Sequence, residues 1–500
     1  VGMLSNKLKE KCNNLANYFD KPAWINRTLF YATIFASITL AFIIVFGIFN
    51  LTFPNFTFPN NAIDYDNERY LLSALVQSLA ATIALVITLS LVAVQLAAQS
   101  YSARVIDVYK RNPDMWILLC IYIFTIFYGL GLTKIIGLGI LGNYMEGAIF
   151  VAYFMGFFAF VCLVPYMLKT LDLLKPSTVI KLLAEEITKE KILEALENDG
   201  DIVEKDPMQS IVDMVNRAIL YDDYETAKNG INAIKKSITC IIKSNHFNEH
   251  EEKKMSFYMF QHVQRLGIHS INKKNEESTN SIIICLEELG HEAVKQNRRW
   301  ILKDAVTALG IIGVKAAEEE LKITIEKAEK TLGKIGVHAS EKRLHTGSIN
   351  AIRELGKVGT IAVEKKLYWI EVIAVDEIKK VGVKAEEEKL VEAAIEAAKK
   401  LKNIGVKAID KEREGVVSTV SKALDEIRNI AIKNGKSQVA EECERGFNIL
   451  KRNIEEMWEM QDRAIKRKDH IKKFKWRKIT KQIDEVLHVV KDTEEDDHET

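Results

Sequence analysis

The residues best placed to do chemistry are few. His246-Phe247-Asn248-Glu249-His250 matches HxxEH, the pattern in which two histidines hold zinc and the glutamate activates a water. Here Ser244-Asn245 precede it and Glu251 to Lys254 follow. No apolar run buries it, so a solvated polar turn at a helix boundary is the expected structure. His262 and His269 are expected as surface or core histidines rather than ligands. No phosphate-binding glycine loop, nucleophile elbow or paired-carboxylate motif is present. The six cysteines, Cys12, Cys120, Cys162, Cys240, Cys285 and Cys443, are far apart and form no CxxC pair, which points to reduced thiols rather than a disulfide framework or zinc site. The expectation is a protein that is not an enzyme and that needs no metal or cofactor.

A second kind of chemistry is written on an apolar helix. From Leu71 to Gln99 the chain runs for 29 residues without a charge and then passes into SYSARVIDVYKR. Such a run is long enough to span a bilayer core of about 30 Å. Ser73, Gln77, Ala84, Thr88, Gln95 and Gln99 recur at spacings of four and seven, which keeps them near one helix face, while Leu75, Leu79, Val86, Leu89 and Leu96 occupy the rest. A small-and-polar stripe on a membrane helix is either a packing surface or the wall of a wet path. Arg104, Lys110 and Arg111 follow at its cytosolic end, where they would favour anions.

Charge partition sets the domains. The net charge of +1 argues against a dedicated nucleic-acid binder. The apolar runs between Leu29 and Leu168 are almost free of charge, whereas the chain after Lys169 is rich in Lys and Glu. All seven prolines lie at or before Pro207, and the 293 residues beyond it have none, which suits an almost wholly helical region. Four spans are expected, at about 29–49, 71–98, 115–132 and 148–168. They lie in a transmembrane domain 29–170, between a cytosolic segment 1–28 and a helical connecting region 171–260. The first span is too long for a signal-peptide core and has no small-x-small cleavage site after it. Five basic residues precede the first span and three lie in the second connection, against one each (Arg69, Lys134) in the other two. The positive-inside rule then places both termini in the cytoplasm of a multi-pass protein of the cell membrane. Trp24 and Trp116 near the inner boundary, and Tyr65, Tyr70 and Tyr144 near the outer one, suit interfacial anchoring. Asn50-Leu51-Thr52 and Asn55-Phe56-Thr57 are glycosylation-type triplets in the outer loop.

The segment Val92-Ala93-Val94-Gln95-Leu96-Ala97-Ala98-Gln99-Ser100-Tyr101-Ser102-Ala103-Arg104-Val105 resembles the hallmark of a large family of prokaryotic predicted membrane proteins of unknown function. Ala103 stands where that family has a proline. Asp206-Pro207, Ile211-Val212-Asp213, Arg217-Ala218, Asp223 and Thr226-Ala227 are similar to a second segment of the same family, with Tyr224 at its second proline. The resemblance covers roughly residues 25–235. It implies a four-span membrane protein with a cytosolic C-terminal region and brings no settled activity.

Downstream the chain repeats itself. Gly267, Gly290, Gly313, Gly336, Gly359, Gly382 and Gly405 are each 23 residues apart, with a Val, Leu or Ile four residues before each and Ser270 or an alanine three after. This spacing predicts glycine at the C-cap of successive helices, in the left-handed conformation. Each unit leaves roughly 18 residues for a helix about 27 Å long. Such helices bury their apolar stripes only by stacking, so 261–435 is expected to be a HEAT-like α-solenoid of 23-residue single-helix repeats. The interval of 30 between Gly405 and Gly435 predicts a last helix lengthened by two turns. Further C-terminal helices are expected over 436–490, with a basic stretch Arg463–Lys481, and an acidic tail over 491–500.

The expected fold class is therefore all-α. Two functions are compatible with it. The first is an oligomeric channel lined by the second span, with the repeats as a cytosolic assembly or gating domain. The other is a membrane-anchored scaffold whose solenoid binds a protein partner. The bilayer and further copies of the chain are the expected partners, and nucleic acid is not. An exposed apolar row along the repeats would favour the scaffold.

Overall fold

The computed structural model describes residues 29–40, 65–100, 113–136, 145–197, 206–244, 247–464, 479–481 and 483. These divide into two compact units, residues 1–179 and 180–500.

The first unit contains α1 (Leu29–Leu40), α2 (Tyr65–Ser100), α3 (Pro113–Ile135) and α4 (Met145–Leu173). Three stretches, Asp66–Leu96, Asp114–Ile135 and Gly147–Asp172, are long and apolar enough to cross a membrane, and α1 is a shorter apolar helix. The first expected span, 29–49, is thus described only to Leu40. Helix α2 packs on both α3 and α4, which also pack on each other. Leu79, Val86, Leu118, Tyr122, Phe158 and Cys162 form the centre, joined by Tyr31 from α1. Without a hydrophobic drive between helices in lipid, close approach matters most. Gly129 and Gly156 supply it: a Cβ there would sit 2.7 Å from Val76 Cγ2 and 2.8 Å from Leu75 Cδ1. Outward-facing Phe124, Phe127, Phe157 and Val164 suit lipid.

The second unit begins within α5 (Pro176–Glu185) and continues through α6 (Lys189–Glu197), α7 (Gln209–Leu220), α8 (Tyr224–Lys243) and α9 (Glu249–Asn272). It then becomes regular: α10 (Glu276–Lys295), α11 (Arg299–Glu318), α12 (Lys322–Glu341), α13 (His345–Glu364), α14 (Ile370–Glu387), α15 (Val391–Asp410), α16 (Glu414–Lys433) and the longer α17 (Ser437–Ala464). From α9 onward each helix packs on the next and on the next but one. Odd-numbered helices form one layer and even-numbered helices the other, which is the solenoid arrangement.

The role assigned to the glycines is corrected. All seven lie inside helices, and the turns are made by Lys274, Asn297, Glu320, Arg343, Lys366, Lys389, Glu412 and Gly435, which recur at 23 residues with φ of 53° to 67°. Each turn is a Schellman motif; for example, Leu321 N–H donates to Ala316 O at 3.0 Å and Glu320 N–H to Ala317 O at 3.3 Å. Gly435 is the glycine member of this second series, so α16 keeps the usual 20 residues and is not lengthened. The internal glycines are needed for space rather than for φ. A Cβ on Gly336 would meet Val381 Cγ2 at 2.8 Å and Ala351 Cβ at 2.9 Å, and one on Gly382 would meet Ala397 Cβ at 2.7 Å and Ile427 Cδ1 at 2.9 Å. The partner two helices on lies 45 residues later at every one of the seven positions, from Ile312 opposite Gly267 to Leu450 opposite Gly405. The repeated glycine is therefore the contact that sets the spacing within each layer.

Candidate functional site

Helix α2 has three faces. Leu72, Val76, Leu79, Val86, Ser90 and Ala93 are buried against α3 and α4. Leu85, Leu89 and Leu96 are exposed and apolar. At about 100° per residue the stripe from Ser73 to Gln95 fills a third arc of roughly 60°. There Gln77, Ala84, Thr88 and Gln95 are exposed and Ser73 is half-buried. Among the described residues, the stripe lies off the face of α2 that packs on α3 and α4. Among the described residues its polar groups are answered locally: Gln77 Nε2 donates to Ser73 Oγ at 3.3 Å, and Thr88 Oγ1 donates to Ala84 O at 2.9 Å. Exposed Ala80 and Ala84, four apart on the same side, leave room for another backbone. Gln99 lies in the last turn of α2, whose side chains are not described, and Arg104, Lys110 and Arg111 lie outside the described residues.

Polar contacts the sequence did not reveal hold the unit together at its ends. Lys169 Nζ lies 2.6 Å from Asp114 Oδ2, joining the last turns of α4 to the first turn of α3. Each of these residues stands one position outside an expected span boundary. At the other end Tyr153 Oη donates to Glu68 Oε2 at 2.8 Å, and the Arg69 guanidinium donates to Ile136 O. Within the apolar core, the Ser90 and Tyr166 hydroxyls share a hydrogen bond of 2.6 Å.

In the second unit, the family-like residues do capping work. Asp206 Oδ1 accepts from Met208 N–H at 2.9 Å and Gln209 N–H at 3.0 Å, while Oδ2 lies 3.1 Å from His262 Nε2 and the Tyr258 hydroxyl donates to Oδ1. Burial works to raise the Asp206 pKa, but His262, Tyr258 and the Met208 N–H together hold it below the usual carboxylate value. Asp206 thus ties the start of α7 to α9. Asp223 caps α8 by accepting from Thr226 N–H at 3.1 Å. Of the HxxEH residues, His246 lies outside the described residues. Asn248 is the N-cap of α9 in a capping box with Glu251.

A cavity of about 470 Å³ opens on the even layer, lined among others by His291 of α10, by Gly333, Lys334 and His338 of α12, and by Glu377 of α14. The two histidines meet with Nδ1 atoms 2.9 Å apart. Burial first pushes both imidazoles below their ordinary pKa, with His338 adding to the effect at His291, and Lys342 and Lys295 adding to it at His338 against the opposing charge of Glu341. One turn before Gly333, Glu329 is fully buried, and among the described residues neither of its carboxylate oxygens has a hydrogen-bond partner. Burial first, then the charges of Glu377 and Glu326, raise its pKa well above the ordinary value.

No curated protein matches the chain. A solved structure described as a circular tandem repeat protein with novel repeat topology and enhanced subunit contact surfaces is similar at 15% identity and a TM-score of 0.36, over 87% of this chain and 99% of that one. The apolar helices and the capped α7 are where a family resemblance falls: residues 26–221 match the family described as predicted membrane protein (DUF2254).

Proposed function

We propose that the chain is an oligomeric channel of the cell membrane, with copies of α2 meeting along the stripe Ser73, Gln77, Ala84, Thr88, Gln95 and Gln99 around a water-filled path. The single observation that carries this reading is the direction of the stripe: Gln77 and Gln95 are exposed on a helix whose buried face is already taken up by α3 and α4. An amide side chain left facing hydrocarbon costs several kcal/mol, whereas a second copy or water removes that cost. In this reading Leu29–Phe49 completes a fourth span, both termini are cytoplasmic, and the repeats are an assembly or gating domain. The test is ion flux in liposomes for wild type and Gln95→Leu at matched oligomeric state. Flux that falls with the substitution supports the path. Silence of both proteins under voltage, tension and ligand challenge counts against it.

One observation favours the scaffold as a second reading. Ile323 of α12 and Trp369, the residue before α14, are 46 residues apart, and both are exposed beside exposed Tyr368. Tyr368 and Trp369 meet edge to face, and Lys322, the residue before Ile323, lies over the Trp369 ring at 5.4 Å, so these exposed groups stand at the N-terminal edge of two even-layer helices rather than in a row along the solenoid. Retention of one protein partner by the full chain, lost in an Ile323→Glu, Trp369→Glu variant, would support the scaffold.

A further inference from the structure

The internal repeat makes departures from it visible. The residue after each packing glycine is aliphatic at Ile268, Val314, Val337, Val383 and Val406, and the one after that is lysine at Lys315, Lys384 and Lys407. His291 takes the first place in α10, and His338 takes the second in α12, a place held by His269 in α9 and Glu292 in α10. In the neighbouring helix pairs these two places hold an aliphatic residue and a lysine, or Val314 and Ile361. Here the two departures meet: the Nδ1 atoms are 2.9 Å apart and the ring centroids 5.0 Å apart, in the wall of the even-layer cavity.

At that separation at most one of the two facing nitrogens carries a proton, and the lone pair of the other accepts it, so displacing that single hydrogen frees both nitrogens as donors to a metal. Nitrogen donors bind first-row transition ions at about 2.0–2.1 Å. Two such bonds to one ion, with nitrogens 2.9 Å apart, subtend about 90°. That is the cis angle of a tetragonal or octahedral ion, whereas a tetrahedral ion would need roughly 3.3 Å between the nitrogens. The surrounding charge is mixed: Lys295 and Lys342 disfavour a positive charge at the pair, whereas the lysines of the cavity wall are paired with carboxylates. Lys330 is paired with Glu326 at 2.6 Å, Lys334 with Glu287 at 2.8 Å and Lys380 with Glu377 at 2.7 Å, and Glu341 lines the same cavity.

We propose that His291 and His338 form a two-imidazole site for a tetragonal transition-metal ion of the Cu(II) or Ni(II) class, which replaces their shared proton and ties α10 to α12. Among the described residues no group of three His, Cys, Asp or Glu is placed to hold a metal, so the remaining positions are open to water or to a small ligand entering the cavity.

The experiment is titration of the full chain in detergent with Cu(II), and separately Ni(II), by calorimetry, together with the electron paramagnetic resonance spectrum of the Cu(II) form. A His246→Ala, His250→Ala background removes the other closely spaced histidine pair. In that background His291→Val and His338→Lys each install the residue the repeat uses at that register, so folding is preserved. One equivalent of Cu(II) with hyperfine splitting from two imidazole nitrogens is expected, and each substitution should weaken it by about tenfold or more and remove one nitrogen from the spectrum. No binding in the background protein, or affinity and spectrum unchanged by either substitution, overturns the site and leaves a hydrogen-bonded pair alone.

Discussion

The membrane unit and the repeat unit bring their helices together by the same means and differ in where they leave polar groups. Gly129 and Gly156 let α3 and α4 approach α2, and Gly267 to Gly405 let every second solenoid helix approach. In the membrane unit the uncovered polar groups, Gln77, Thr88 and Gln95, are on the outside of an apolar helix. In the repeat unit the most conspicuous one, Glu329, is on the inside of an apolar layer. An outward polar stripe in hydrocarbon can still be reached by a second copy or by water. A carboxyl sealed in a core has no such recourse, and it answers by keeping its proton.

The sharpest way to break that contrast is to give Glu329 the residue its register calls for. Ile283, Val306, Ile352 and Val375 occupy the same place in neighbouring helices, all fully buried. Other buried glutamates are answered: Glu371 has Arg413 at 2.8 Å and Glu386 has Asn434 at 3.5 Å. Glu329→Ile should therefore stabilise the repeat region at pH 8 by about 3 kcal/mol. The sign with pH follows from linkage. Because the folded pKa lies above the unfolded one, both states are protonated below about pH 4 and the group contributes no pH dependence there. As pH rises from there toward the folded pKa, the unfolded state gives up its proton first, and stability falls by up to about 1.4 kcal/mol per pH unit. Thermal unfolding at pH 5 and pH 8 checks this: the gap between variant and wild type should widen at pH 8. An equal gap at both would mean that Glu329 finds a partner on ionising.

The shared packing device separates the two units at the next level of effect. Gly336→Ala places a methyl against Val381 and against Ala351 Cβ, which has no freedom to turn aside, and a loss of about 2 kcal/mol is expected. Gly156→Ala meets only the side-chain end of Leu75, which can change rotamer, so its cost should be under about 1 kcal/mol. Melting temperatures of the two variants in one detergent measure the difference, and equal losses would show that Leu75 is as fixed as Ala351.

Much of this was legible from the chain and some was not, for reasons tied to particular residues. The period of 23 fixes the solenoid because stacking repeats the same contact, and repeated contacts leave repeated residues. The meaning of the glycine was ambiguous, since a helix end and a close approach both select for the smallest residue. What decides it is the residue 45 positions on, an Ile, Val or Leu each time. Most of the true turn positions carry Lys, Glu or Arg, which do not resemble a cap; only Asn297 and Gly435 do. The stripe on α2 was readable from spacing alone, but its direction depends on which face α3 and α4 take. The meeting of His291 with His338 depends on two helices 47 residues apart in register, beyond the reach of local pattern. Glu329 was visible all along as one acid in a column of aliphatic residues.

The smallest effect tests the corrected turn directly. Lys366 is exposed and holds φ of 54° at the end of α13, in the position that Gly435 holds with φ of 67° at the end of α16. An L-residue in the left-handed region costs roughly 1–2 kcal/mol, and the greater unfolded-state freedom of glycine returns about half of that. Lys366→Gly should therefore stabilise by about 0.5–1 kcal/mol. Gly435→Ala, with open space where its Cβ would stand, should destabilise by a similar amount through φ alone. Substituting Gly359, seven residues before Lys366, has the opposite sign to Lys366→Gly, because a Cβ there would lie 2.7 Å from Ala374 Cβ. A series in which glycine is favoured at 366 and obligatory at 359 distinguishes a backbone requirement from a packing one within a single helix. If Lys366→Gly proves destabilising, the Schellman bonds of this turn already fix the left-handed residue so firmly that the added unfolded-state entropy dominates.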